Sequence, residues 1–160
     1  MWSRSGISMG ERKRGATRRA VLIGGLAATI GVEKVRATPE QMRAAIRNVV
    51  GAAPVRNGRV ELDVPPLVEN GNTVSLVVVV DSPMTARDYV KTIHVFNEKN
   101  PQPNVISVHL GPRAGKAKIS TRFRLADSQT VTAIAEMSDG SFWSATAEVI
   151  VTLAACVEGI

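Results

Sequence analysis

The sequence predicts an all-β fold preceded by one N-terminal helix. Three observations carry that expectation: β-branched apolar residues gather into short runs from Arg59 onward, turn-forming residues separate the runs, and no helical periodicity lies between them. At 160 residues and 44% hydrophobic, the chain holds enough apolar material for one domain with an appendage. No apolar run in its body is long enough to span a bilayer.

The helix comes first. Thr38 suits an N-cap, Pro39 the first helical position, and Gln41 completes a capping box with Thr38. Met42, Ala45, Ile46, Val49 and Val50 then recur at helical spacing, and Gly51 and Pro54 end the run. Seven strands follow. Val60, Leu62 and Val64 alternate with polar residues until Pro65-Pro66. Thr73 to Val80 is densely β-branched, launched by Glu69-Asn70-Gly71-Asn72 and halted by Asp81-Ser82-Pro83. Lys91 to Phe96 ends near Asn100-Pro101, and Val105 to Leu110 ends at Gly111-Pro112. Lys118 to Leu125 places Ile119, Thr121, Phe123 and Leu125 on one face. Thr130 to Met137 and Phe142 to Leu153 pair through an Asp139-Gly140 hairpin. Seven short strands without interposed helices predict an immunoglobulin-like β-sandwich.

Charge divides the chain. Residues 1–37 hold eight Lys/Arg and two Asp/Glu, which accounts for the whole formal charge of +6, and residues 38–160 balance. The body therefore has no electrostatic reason to bind nucleic acid. The basic segment reads as an address. Arg4, Arg12, Lys13 and Arg14 precede Thr17-Arg18-Arg19-Ala20-Val21-Leu22, and a mildly apolar stretch follows from Val21 to Val32. That order describes a cleavable signal peptide. Arg18 and Arg19 resemble the twin-arginine export motif, and Gly24, Gly25, Thr29 and Gly31 make the apolar stretch weak enough for that route. The expected division is a signal peptide over 1–37, a domain over 38–153 and a C-terminal arm over 154–160, with the mature protein in the periplasm and off the membrane. A basic cytosolic tail followed by a short helix is the alternative.

The body is poor in catalytic groups. His94 and His109 stand alone in predicted strands, without His, Cys or carboxylate partners at metal spacing. No nucleophile elbow, zinc-protease motif or phosphate-cradling loop occurs. Glu69, Asp81, Asp88 and Asp139 sit beside turns, where capping explains them, and Phe142 and Trp143 read as core or interface anchors. The lone cysteine, Cys156, differs. Lying beyond the last predicted strand, it has no second cysteine with which to close an internal disulfide, so it is intermolecular, reactive or buried.

Several runs together carry a resemblance: Glu69-Asn70-Gly71-Asn72-Thr73, Asp81-Ser82-Pro83-Met84-Thr85, Val90-Lys91, Asn100-Pro101, Arg122-Phe123-Arg124-Leu125-Ala126, Ser128-Gln129-Thr130-Val131 and Ala135-Glu136-Met137. With the twin-arginine signal, they resemble the SoxY subunit of the thiosulfate-oxidising Sox system. The resemblance implies an immunoglobulin-like sandwich that is a sulfur carrier and not an enzyme, with no cofactor of its own. It also implies a heterodimer with a SoxZ-type subunit and Cys156 as the covalent attachment point for sulfur. Separate Sox enzymes would load, hydrolyse and oxidise the bound sulfur.

The arm departs from the family pattern. Where Gly-Gly-Cys-Gly-Gly is usual, this chain has Ala154-Ala155-Cys156-Val157-Glu158-Gly159-Ile160. Alanine removes the backbone freedom of glycine, and Val157 adds a branched side chain beside the sulfur. Glu158 places negative charge near the thiol, which disfavours the thiolate and any anionic conjugate. A non-catalytic periplasmic interaction module with a degenerate arm is therefore the alternative function.

Overall fold

In a computed structural model, residues 37–153 are described. Helix α1 spans Pro39–Val50 and starts as its local chemistry dictates. The Thr38 hydroxyl accepts from the Gln41 amide at 3.3 Å, and the Gln41 side chain accepts from the Thr38 amide at 3.1 Å. Gly51 closes the helix at φ 62°, its amide donating to Arg47 O at 2.8 Å.

Nine strands follow: β1 (Val55–Asn57), β2 (Val60–Asp63), β3 (Leu67–Asn70), β4 (Val74–Val80), β5 (Val90–Asn97), β6 (Asn104–His109), β7 (Lys118–Phe123), β8 (Gln129–Met137) and β9 (Phe142–Leu153). The seven expected strands are all present, with ends that move by a residue or two. The two additions, β1 and β3, are short and mostly exposed, so they carry no period-2 apolar signal. Backbone pairing recruits them: both lie parallel to β9, β1 against Phe142–Ser144 and β3 against Ile150–Leu153.

The strands form two sheets. The larger runs β1-β9-β8-β5-β6 with β3 also on β9, and the smaller runs β2-β4-β7. Between β1 and β3 the chain visits the smaller sheet as β2. Gly58 at φ 108° and Arg59 at φ 54° turn it across, and Pro65-Pro66 stands where it returns. The β8–β9 hairpin closes as expected, with Gly140 at φ 80° and the Asp139 carboxylate accepting from the Ser141 amide at 2.9 Å.

Two apolar clusters hold the layers together. Between the sheets, Val74, Leu76 and Val78 face Ile93, Val95, Val131, Ala133 and Val149. On the outer side of the larger sheet, Met42 and Val50 of α1 pack on Phe96, Ile134 and Phe142. Burying each such side chain stabilises the fold by about 1.5–3 kcal/mol. The helix thus covers one part of that outer face, and a polar row containing Thr92, His94, Ser107 and His109 lies beside it.

Candidate functional site

The arm 154–160 with Cys156, and the arginine pair Arg18 and Arg19, lie outside the described residues. What the structure describes is the base from which the arm departs. Strand β9 ends at Leu153, and three elements grip that end. Asn70 of β3 pairs with Leu153, and the Gly71 amide donates to Leu153 O at 2.9 Å. Gly71 O in turn accepts from the Leu125 amide at 2.9 Å, linking β9 to the loop after β7. One residue pair back, the Ser128 hydroxyl accepts from the Val151 amide at 2.9 Å and lies 3.4 Å from Val151 O. The Thr152 hydroxyl donates to Glu69 O at 3.2 Å.

A base held this way fixes the origin of whatever follows. Cys156 comes three residues after Leu153, so an extended connection reaches about 10 Å. The rim is mixed in character. Leu67 and Ile150 stand opposite each other on β3 and β9 and are 59% and 58% exposed, while Leu153 is 59% exposed. Lys99 and Asp127 pair across two loops at 3.6 Å. Behind them, Asn100 Oδ1 accepts from the Ala126 amide at 2.9 Å and from Gln129 Nε2 at 3.0 Å. These side-chain bonds brace the loops on which the base rests.

The other chemistry-bearing residues have structural partners. His94 is buried in β5, and its Nδ1 lies 2.8 Å from Ser107 Oγ. Burial pushes its pKa below the usual histidine value, with His109 adding to that shift and Glu136 opposing it. His109 is exposed, with Nδ1 3.1 Å from Thr92 Oγ1. Among the described residues no three His, Cys, Asp or Glu side chains gather as a metal site, and no helix is long and apolar enough to cross a membrane. Phe142 sits in the cluster under α1. Trp143 packs at the edge of the inter-sheet core beneath two guanidiniums, Arg56 at 5.7 Å and Arg59 at 5.2 Å. Asp139 serves the hairpin turn; hydrogen bonds from Ser141 hold its pKa below the usual carboxylate value.

The sequence singles out Cys156 but not the contacts that hold the end of β9. Gly71 and Ser128 reach β9 from distant parts of the chain through one backbone bond and one hydroxyl, which leave no local pattern.

A two-sheet sandwich with one capping helix and a firmly held C-terminal strand is an immunoglobulin-like domain. The chain belongs to the family of the sulfur oxidation protein SoxY, whose profile matches residues 46–156. Its structure is similar to that of the sulfur carrier protein SoxY from Chlorobium limicola f thiosulfatophilum, with a TM-score of 0.60 and 26% identity, covering 71% of this chain and 98% of that one. It also resembles the superoxide reductase (neelaredoxin) from Ignicoccus hospitalis, with a TM-score of 0.53 and 16% identity, over 73% of this chain and 95% of that one. The superoxide reductase from Nanoarchaeum equitans matches at a TM-score of 0.50 and 10% identity, over 60% and 100% respectively. At such identities the reductases show a shared fold alone. No curated protein sequence matches the chain.

Proposed function

We propose that this protein is a sulfur carrier of thiosulfate oxidation, with Cys156 as the residue that holds the sulfur covalently. The observation that carries the reading is the family match, which runs through the sandwich and ends on Cys156 itself. The relative from Chlorobium limicola is described as a sulfur carrier protein, which supports the same role here. The described base adds a physical reason, because a carrier needs a rigid body and a short extension, and Leu153 is where the rigid part ends.

In this reading the carrier performs no catalysis and needs no cofactor. The thiolate of Cys156 couples to thiosulfate as Cys–S–S–sulfonate, and the two electrons released leave through a partner's redox centre. Water attack on the sulfonate, catalysed by a second enzyme, then frees sulfate and leaves a sulfane sulfur on the cysteine. Residues 1–37 direct twin-arginine export through Arg18 and Arg19, residues 38–153 form the domain, and a SoxZ-type subunit completes a periplasmic heterodimer.

The test is intact mass. The mature protein, incubated with thiosulfate, its loading enzyme and an electron acceptor, should gain one thiosulfate-derived adduct that reductant removes and Cys156→Ser abolishes. An adduct retained in Cys156→Ser, or none on the native chain with its cognate enzyme, overturns the proposal. The second reading, an interaction module, is favoured by the Ala154-Ala155 and Val157-Glu158 flanks. It predicts stable pairing with the SoxZ-type subunit and no adduct.

A further inference from the structure

Among the described residues, the exposed large apolar side chains are Val55, Leu67, Ile150 and Leu153. Single exposed apolar residues are ordinary on a protein surface, but three of these four gather where the arm departs. Leu67 of β3 and Ile150 of β9 are register partners. The next pair, Val68 and Val151, belongs to the inter-sheet core, so alternation sends Leu67 and Ile150 together to the outer face. Leu153 ends the strand beyond them. Val55 is the exception, paired with Phe142 at the start of β9, roughly 35 Å away along the strand.

The length of the tether decides what covers this patch. Cys156 follows Leu153 by three residues, so its Cα stays within about 10 Å of the strand end. Ile150 lies three residues behind Leu153, again about 10 Å. An enzyme active site is a concave recess, with its reacting group below the rim. With so short a tether, the rim of any protein that receives the thiol rests on the end of β9 and the residues around it. A subunit seated permanently on those residues would occupy the place where the thiol has to be received.

We propose that Leu67, Ile150 and Leu153 are the docking surface for the enzyme that couples thiosulfate to Cys156, which meets them with an apolar rim around its entrance. The inference rests on the sulfur-carrier reading and names the surface by which that carrier is recognised. Polar groups frame the patch: Glu69 and Asn70 continue β3 beside it, and the Thr152 hydroxyl is tied to Glu69 O. An apolar centre within a polar margin is the anatomy of a protein interface. Three side chains bury far less than the roughly 1,200–2,000 Å² of a lasting interface. Docking is therefore weak, and the carrier leaves once it is loaded.

Steady-state loading kinetics test it, using the protein's own Sox loading enzyme, thiosulfate and an electron acceptor, with the adduct read by intact mass. Leu67→Gln combined with Ile150→Thr should raise KM about tenfold and leave kcat within about twofold, since the lost contact is made equally before and during the chemistry. Leu67→Gln alone should raise KM about threefold. Val55→Thr, at the far end of β9, should change neither constant. Unfolding midpoints, maleimide labelling of Cys156 and pairing with a SoxZ-type subunit should be unaltered in all of these variants, because the positions are exposed. The free peptide Ala-Ala-Cys-Val-Glu-Gly-Ile, which carries the thiol without the patch, should show a KM at least as high as the double variant's. Double-variant kinetics equal to the parent's, or a peptide loaded as well as the parent, overturns the docking surface and leaves the carrier reading standing. Lost pairing with the SoxZ-type subunit assigns the patch to that subunit and overturns the proposal too. A parent that takes no adduct from its enzyme overturns the carrier reading, and this inference with it.

Discussion

The carbonyl of Leu153 accepts a 2.9 Å hydrogen bond from the amide of Gly71, so the last described residue of β9 is tied to the turn that launches β4. Because Gly71 also accepts from Leu125, the end of β9 cannot shift without disturbing both sheets. An extension starting there has a defined origin, which a partner's cleft can find by docking on the body.

Ser128 tests how much of that definition comes from one side chain. Its hydroxyl is the partner of the Val151 amide, and Val151 is a buried core residue. Ser128→Ala leaves the amide without an acceptor, at a cost of about 1–3 kcal/mol. Urea unfolding should show that loss, and hydrogen exchange at Val151 should quicken more than at Val131. Unchanged exchange at Val151 would mean that β3 alone holds the strand.

Phe96 tests the docking of the helix. It is fully buried and joins Met42, Val50, Ile134 and Phe142. Phe96→Ala should destabilise the domain by about 3–5 kcal/mol, mostly by leaving a cavity beneath α1. A companion change at the cap, Thr38→Ala, should cost less, about 0.5–2 kcal/mol, because it removes one exposed hydrogen bond. Denaturant midpoints of the two variants check the ranking, and a larger loss at Thr38 would contradict it.

How much of this was legible beforehand follows the range of the chemistry. The capping box from Thr38 to Gln41 and the Asp139-Gly140 hairpin are local, so three or four residues suffice to write them. The seven expected strands show through their β-branched apolar runs, some alternating between buried and exposed positions, as in Val74–Val80, and some buried along most of their length, as in β5 and β8. Strands β1 and β3 have no such alternation, since what holds them is the backbone of β9 and not their side chains. Likewise Cys156 stands out as the only thiol, while the Gly71 and Ser128 contacts that hold its base depend on how β9 is paired.

His94 makes stability depend on pH, and the sign is set by burial. Its pKa is lowered in the fold, so the unfolded chain takes up the proton first as pH falls. Stability is therefore full above the unfolded value near 6.5 and declines as pH drops below it, until the folded ring protonates too. The charged and titratable groups acting on the ring are Glu136, which opposes the shift, and His109, which adds to it. Thermal midpoints should fall between pH 7 and pH 5, and fall less in His94→Gln. Parallel curves for the two proteins would assign the pH dependence elsewhere.

The last prediction concerns the arm, on the reading that Cys156 carries sulfur. Alanine at 154 and 155 restricts the backbone where the family pattern has glycine, and restriction acts on how the cysteine enters a partner's cleft. Replacing both alanines with glycine should leave the unfolding midpoint unchanged, because both lie beyond the paired end of β9 at Leu153. The maleimide labelling rate of the free protein should also stay within about twofold, since a small reagent needs no channel. The loading rate with a Sox enzyme adapted to a Gly-Gly-Cys arm should rise, whereas the loading rate with this protein's own partner should not. Comparing the two enzymes separates stiffness from adaptation. Faster loading by both would mean that Ala154 and Ala155 simply slow the native reaction. No change with either would place specificity in Val157 and Glu158, the residues on the other side of the sulfur, and Glu158→Gln would then be the substitution that restores loading by the foreign enzyme.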